Sequence, residues 1–263
     1  MIETAGESVL GDPERPGDWI EADWPAPAHV RTLVTSRNGG VSAAAYAGAG
    51  GGMNLGTHVG DDPRAVAQNR ARLLSILPGE PTWLHQVHGT RVLDLASLHA
   101  GAEPYADASF TRRRGEVCAV LVADCLPVFF CDWQGSVVGA AHAGWRGLAA
   151  GVLEQTISAM GAAPQDLLAW LGPCIGPRHF EVGEEVRDAF ANHDPASLAM
   201  FAPCATGKWL ADLPGLARLR LSAAGLRSIE GGQDCTYANP QRYYSYRRER
   251  VCGRMAALIW LEP

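Results

Sequence analysis

The sequence predicts an α+β (mixed α/β) protein: one domain of mixed, partly antiparallel sheets flanked by helices. Three observations lead there. Runs rich in Val, Ala and Phe alternate with segments of helical periodicity, so strands and helices are mixed along the chain. Two of these runs are joined by the turn pair Gln134-Gly135, which makes at least one hairpin and rules out a purely parallel sheet. The chain has 263 residues, 47% of them apolar and 19% charged, enough to bury a full core without disulfide or metal staples. A metal here is therefore functional and not a condition of folding.

In chain order, residues 1–28 read as a loose lead-in and residues 29–263 as the single domain. A strand is predicted over 29–36, ended by the turn Arg37-Asn38-Gly39-Gly40. Residues 43–52 are Ala- and Gly-rich and read as a mobile loop. Asp62 as N-cap and Pro63 at the first helical position open a helix with an apolar stripe of Val66, Leu73, Leu74 and Leu77, stopped by Pro78. Residues 83–95 read as a strand around Val87 and Val92. Three further strands cover 117–123, 127–133 and 137–141. A helix is expected over 147–160, closed by Gly161, then a short strand over 167–171 and the rigid loop Gly172-Pro173-Cys174-Ile175-Gly176-Pro177. Helices are expected near 184–192 and 213–224, and a final strand over 255–261. No internal repeat is visible.

Net charge of −6 excludes broad polyanion binding, and so nucleic acid as partner, but leaves room for a small anion held by local arginines. No run of about 18 apolar residues occurs, so no membrane span is expected. The acidic, Pro/Gly-broken start lacks the pattern of a signal peptide. Seven cysteines, an odd number scattered irregularly, read as free thiols in a reducing cytoplasm.

Three segments place metal-ligating residue types at strand ends: Gln86-Val87-His88-Gly89, Ala123-Asp124-Cys125-Leu126-Pro127 and His142-Ala143-Gly144-Trp145-Arg146-Gly147. If Gln134-Gly135 is a two-residue turn, antiparallel pairing sets His142 opposite Pro127 and brings Cys125 to the same end of the hairpin. His85 and His88, three apart on a strand, point to opposite faces, so only one of them faces that end. Two imidazoles and a thiolate suit Zn²⁺ with an open fourth position. Spacing alone favours a plainer reading, with Cys125 a buried core residue and His142 a hydrogen-bonded one. Arg146 beside two glycines at a strand-to-helix turn suits an oxyanion clamp as well as a surface arginine. Asp124 suits a proton shuttle as well as a turn residue. Residues 243–248, Tyr-Tyr-Ser-Tyr-Arg-Arg, suit the wall of a base-stacking pocket or an amphipathic strand. Arg112-Arg113-Arg114 reads as a solvated loop.

Taken together, these segments resemble the YfiH-like family, also described as laccase-domain or polyphenol-oxidoreductase proteins. The resemblance spans most of the chain and adds residues 37–42 (Arg-Asn-Gly-Gly-Val-Ser), 53–56 (Met-Asn-Leu-Gly), Asn69-Arg70, 172–176 and 245–248. It implies a zinc site on His88, Cys125 and His142 and reverses the balance in favour of ligands there. It also implies purine nucleoside phosphorylase activity on adenosine, inosine and S-methyl-5′-thioadenosine, with adenosine deaminase activity. On that reading Cys125, His142, Asp124 and Arg146 form the catalytic set, nucleoside and phosphate are the partners, and the protein is a monomer or weak homo-oligomer. The rival readings are a Cys/His or zinc amidase acting on peptidoglycan precursors, a copper polyphenol oxidase, and a closed zinc-binding module with His58 as fourth ligand. The eight histidines form no His-x-His pair of the multicopper type, which puts copper behind zinc.

Overall fold

The computed structural model describes residues 18–99 and 104–263. Fourteen strands and five α-helices are present among them. In order they are β1 (Val30–Val34), β2 (Asn38–Ser42), α1 (Pro63–Leu74), β3 (Pro81–Thr82), β4 (Val92–Asp94), β5 (Ala108–Thr111) and β6 (Val117–Val122). Next come β7 (Leu126–Asp132), β8 (Val138–Ala143), α2 (Trp145–Ala150), α3 (Val152–Met160), β9 (Leu167–Leu171), β10 (Glu181–Gly183) and α4 (Glu184–Ala191). The last are β11 (Phe201–Ala205), β12 (Lys208–Ala211), α5 (Leu213–Ala223), β13 (Ser228–Gly231) and β14 (Met255–Leu261). One sheet has the order β1-β14-β6-β3, a second β13-β9-β7-β8-β5-β4, and β10-β12-β11 form a small third. Parallel and antiparallel pairs coexist in both large sheets, so the fold is α+β in one domain.

The two large sheets pack face to face. Along β6, Cys118, Val120 and Val122 join a core shared with Phe129, Cys131, Val138 and Trp170 of the six-stranded sheet, whereas Val117, Ala119 and Leu121 face away, toward Leu73 of α1. Along β7 the same alternation sends Phe129 and Cys131 between the sheets and Leu126, Val128 and Phe130 toward α3 and α5. The order of layers is therefore helix, sheet, sheet, helices. Because both faces of each central strand are buried, these strands read as continuous apolar runs without alternation.

The β7–β8 hairpin has the expected register: Pro127 pairs with His142 and Cys131 with Val138. Asp62 caps α1 by accepting from Arg64 N at 2.9 Å, with Pro63 in the first turn. Within α1 the buried Asn69 holds the segment after β2: its Oδ1 accepts from Val41 N, and its Nδ2 donates to Ser42 Oγ, Gly52 O and Asn54 O.

Several expectations need correction. The turn expected at 37–40 lies instead in β2, which α1 covers. The segment expected to be a mobile loop, 43–52, is tied down. It contains a short 3₁₀ turn, Ala44–Tyr46, whose buried Tyr46 donates to Val59 O and accepts from Tyr244 at its carbonyl. The strand expected over 83–95 exists only as β4. Residues 84–91 form a loop, with Val87 58% exposed. The helix expected over 147–160 is two helices, because Gly151 adopts φ 99° and closes α2 before α3 begins. Residues 243–248 lie in turns and not on a strand. Tyr243 and Tyr244 are buried while Tyr246 is exposed. Strands β5, β10, β11, β12 and β13 carry too short or too mixed a pattern for sequence reading to find.

Of the expected lead-in, residues 1–17 lie outside the described residues. Residues 18–28 lie along β1, where Ile20 bridges Val34 and Trp19 is buried. No helix among the described residues is long and apolar enough to cross a membrane.

Candidate metal centre

Strands β3 and β6 are parallel neighbours, so the chain leaves both at the same end of the sandwich. From β3 it crosses toward β4 through residues 83–91; from β6 it crosses to β7 through Ala123-Asp124-Cys125. His142, near the end of β8, reaches the same place. The three segments thereby bring His88, Cys125 and His142 together, with their ligand atoms all within 4.8 Å of one another. Cys125 Sγ lies 3.7 Å from His88 Nε2, and the rings of His88 and His142 meet edge to face at 4.8 Å. The plain reading of Cys125 as an ordinary core residue does not describe this cluster.

Both crossings are strained. His88 has φ 59° and Asp124 φ 94°, two of only three non-glycine residues with positive φ among the described residues. At the first crossing Asp107, 0% exposed, supplies the restraint. Its carboxylate accepts from Val87 N at 3.2 Å, His88 N at 2.9 Å and Gly89 N at 2.7 Å, and it bonds His142 Nδ1 at 2.9 Å. Gln86 fastens the same loop to β6: its side-chain amide donates to Leu121 O at 2.9 Å and accepts from Leu121 N at 2.7 Å. At the second crossing, Asp124 accepts from Thr236 Oγ1 at 2.6 Å and from Arg247 N at 2.7 Å. Both carboxylate oxygens of Asp124 are thus engaged in tying the C-terminal turns to the cluster.

One of the two histidines joins the cluster, as parity required, and it is His88, as the resemblance implied; the reason is the left-handed turn at His88 and not strand alternation. His85 stacks on Tyr105 at 4.9 Å. The glycines of 142–147 explain how the segments approach. A Cβ at Gly144 would lie 2.8 Å from His88 Cδ2 and 2.9 Å from Cys125 Sγ, and one at Gly147 would lie 2.9 Å from Gly89 O. Arg146 is exposed, lies over the Trp145 ring at 4.4 Å and lines neither cavity beside the cluster. His58 lines the larger cavity and is not among the clustered ligands.

Charge is arranged for metal binding. Burial opposes ionisation of the Cys125 thiol, yet the neighbouring His142 and His88 rings outweigh it and bring its pKa down to about 6. Burial likewise opposes protonation of His142, but Cys125 and Asp107 reverse that and push it up. Burial would raise Asp107; its bonds from His142, Gly89 and Val87 hold it below the ordinary carboxylate range. With Nδ1–H turned to Asp107, His142 offers Nε2 to a metal. Bonds of about 2.0–2.3 Å to a tetrahedral zinc put donor atoms roughly 3.5 Å apart, close to the spacing here. Two nitrogens and one sulfur fit such an ion.

Two cavities meet at the cluster. The larger, about 600 Å³, is lined by His88, Cys125 and His142, by Trp83, Tyr105 and Tyr246, and by His58, His85, Arg70 and Arg254. Among the described residues, no carboxylate lines it. Burial, then the positive charges of Arg254, Arg70 and His85, depress the pKa of His58. Arg70 donates to Leu55 O and lies 4.1 Å over the Trp83 ring, so it is held rigidly. The smaller cavity, about 130 Å³, is mostly apolar, walled by Trp145, Ile175, Phe180 and Leu213.

Residues 31–262 match the family described as multi-copper polyphenol oxidoreductase laccase. The chain belongs to that family. Among its relatives, a Pseudomonas aeruginosa protein named purine nucleoside phosphorylase is 50% identical over 249 residues, covering 93% of this chain and 98% of that one. The Escherichia coli purine nucleoside phosphorylase YfiH is 50% identical over 248 residues, covering 92% and 98%. A Neisseria meningitidis crystal structure superposes with a TM-score of 0.88 at 49% identity, over 94% of this chain and all of that one. YlmD from Geobacillus stearothermophilus gives 0.85 at 31% identity, over 93% and 96%.

Asp107, Gln86, Arg70, Arg254, Trp83 and Tyr105 stand at this site without having been singled out for a role from the sequence. Gln86 and Arg70 stood inside quoted motifs. Asp107 lies in a stretch without any motif, and only its contacts reveal it.

Proposed function

We propose that this protein is a zinc-dependent purine nucleoside phosphorylase acting on adenosine, inosine and S-methyl-5′-thioadenosine, with adenosine deaminase activity at the same centre. The observation that carries the reading is the joining of a His88/Cys125/His142 donor set to a cleft that Arg70 and Arg254 make cationic and that aromatic rings wall. Phosphate calls for the cationic side chains and a purine for the aromatic walls. The names of the relatives support its purine nucleoside phosphorylase part.

Zinc held by the three ligands would supply a Lewis acid with an open coordination position. Everything else falls to the chain. Trp83, Tyr105 and Tyr246 offer faces to the base. Arg70 and Arg254 hold phosphate in the cleft, with His58 beside them, and present it to C1′ of the ribose. There the new C–O bond forms as the bond to the purine nitrogen breaks, and the base leaves carrying that electron pair. Asp107 keeps His142 oriented, and Asp124 keeps the turn at Cys125. Arg146, expected to clamp the oxyanion, lies outside both cavities over the Trp145 ring and receives no role in this scheme. Deamination uses the same base site: the oxygen of water bonds to C6, the C6–amino nitrogen bond breaks, and the amine takes up a proton from the water and leaves as ammonia.

The decisive experiment incubates the protein with adenosine, with and without phosphate. Adenine and ribose 1-phosphate, formed only when phosphate is present, support the phosphorylase reading, and inosine supports the deaminase. Absence of both products, or a Cys125→Ala variant that keeps zinc and activity, overturns the proposal. Arg70→Ala is expected to raise KM for phosphate about tenfold or more while leaving zinc content unchanged.

A further inference from the structure

Two cysteines outside the metal centre face each other across paired backbone. Strands β9 and β13 are parallel neighbours, and the segments that follow them continue side by side. Cys174 N donates to Asp234 O at 3.2 Å and Thr236 N donates to Cys174 O at 2.9 Å, which sets Cys174 opposite Cys235. Neighbouring strands run about 4.8 Å apart, and paired residues project their side chains to the same face. That spacing lies within the range of about 4.4–6.8 Å between Cα atoms that a disulfide spans. Both thiols are free.

Their surroundings differ in the way an attacking and a resolving thiol differ. Cys174 is fully buried, and burial, helped by Cys235 nearby, pushes its thiol well above the ordinary range. Cys235 is half-buried and opens onto a cavity of about 480 Å³ that Arg178 and His179 also line. Its sulfur receives Gly176 N–H at 3.2 Å and Ala238 N–H at 3.4 Å, and His179 Nδ1 lies 3.6 Å away. The His179 ring is held by stacking on Tyr237 at 4.7 Å. The nucleoside chemistry proposed above uses none of these groups.

We infer that Cys174 and Cys235 are a dithiol that hydroperoxides oxidise to a disulfide, with Cys235 attacked first and Cys174 resolving. Cys235 gives its proton to His179, and its sulfur attacks the terminal peroxide oxygen. The S–O bond forms, the O–O bond breaks, and the leaving alkoxide or hydroxide takes a proton to become alcohol or water. Cys174 then attacks the Cys235 sulfur. The S–S bond forms, the S–O bond breaks, and the departing hydroxide takes the Cys174 proton as water. In sum, two thiols and one hydroperoxide give one disulfide, one alcohol and one water. The pair also adjoins the metal centre: Ile175 N donates to Asp124 O at 2.9 Å, and Thr236, next to Cys235, donates to the Asp124 carboxylate. Oxidation therefore acts on the two segments that hold the residue before Cys125.

The test treats the full-length, metal-loaded protein with hydrogen peroxide, blocks remaining thiols, digests without reduction and maps the peptides by mass. The expected product is one peptide pair joined through Cys174 and Cys235, formed before the exposed Cys204 is oxidised. Cys174→Ser protein should instead trap a sulfenic acid on Cys235 as its dimedone adduct. If Cys174 and Cys235 stay alkylatable after Cys204 has been consumed, the inference fails, and the wild-type map alone decides that. It also fails if Cys235 in the Cys174→Ser protein gives no adduct. Neither readout depends on nucleoside turnover.

Discussion

The hairpin that carries Cys125 and His142 and the loop that carries His88 deliver ligands to one point by different means. On the hairpin, backbone pairing does the positioning. Pro127 against His142 is one rung of a ladder running to Cys131 against Val138, and no side chain is needed to set it. In place of a ladder, the loop at 84–91 has an isolated bridge from His85 to Tyr105 and a backbone anchor at Arg91, both away from His88 itself. Its place depends on one buried carboxylate, Asp107, gathering three N–H groups, and on the Gln86 amide standing in as a partner for β6. A ligand on a sheet is specified by register, whereas a ligand on a loop is specified by whatever polar group fills the turn.

The largest break in this contrast comes from Asp107→Ala. It leaves three partly buried loop N–H groups and the buried His142 ring unpartnered, and the expected cost is about 2–4 kcal/mol of stability. Metal affinity, measured by competition with a chelator, should fall about 100-fold. Asp107→Asn should fold better and still lose roughly tenfold in affinity, because an amide cannot accept at both oxygen positions.

Gly144→Ala attacks the point where hairpin and loop touch. The added methyl meets His88 and Cys125 Sγ below 3.0 Å, so overpacking of about 1–3 kcal/mol is expected, together with weaker metal binding. Thermal unfolding with and without chelator separates the two effects. If the variant binds metal as well as the parent, the loop is freer than the contrast allows.

Thiol alkylation of metal-free protein sharpens the comparison. Cys125 should react at a rate that holds from neutral pH down to about 6 and falls below it, as its thiolate protonates. His142 acts on that thiol more strongly than His88 does, so His142→Ala should move the midpoint upward further than His88→Ala. Equal shifts would mean that loop and hairpin hold their rings equally close to the sulfur. The smallest effect is expected for Gln86→Ala, which removes two hydrogen bonds to Leu121 at a partly exposed edge. About 1 kcal/mol of stability is expected to be lost, with faster proteolysis within 84–91 as the check.

Legibility followed the same division. The central strands, the cap of α1 and the hairpin register could be read because pairing, burial of both strand faces and capping are local or periodic rules. The single helix expected over 147–160 failed at Gly151: apolar periodicity continues through the glycine while the backbone does not. The segment at 43–52 failed for the opposite reason. Its Ala/Gly composition carries no local signal, and what holds it is Tyr46 meeting Tyr244 from the far end of the chain and Asn69 from α1.

The sequence by itself determined the strands, their apolar faces and the hairpin pairing that sets His142 beside Cys125, since each follows from near neighbours and a period of two. Only the tertiary structure decided that the loop after β3 and the turn after β6 leave adjacent parallel strands at one end, that Asp107 buttresses both histidine segments, and that Arg70 and Arg254 share a cleft with the clustered ligands. Those facts depend on contacts between residues far apart in the chain, and no spacing encodes a contact whose geometry is set by how two sheets stack.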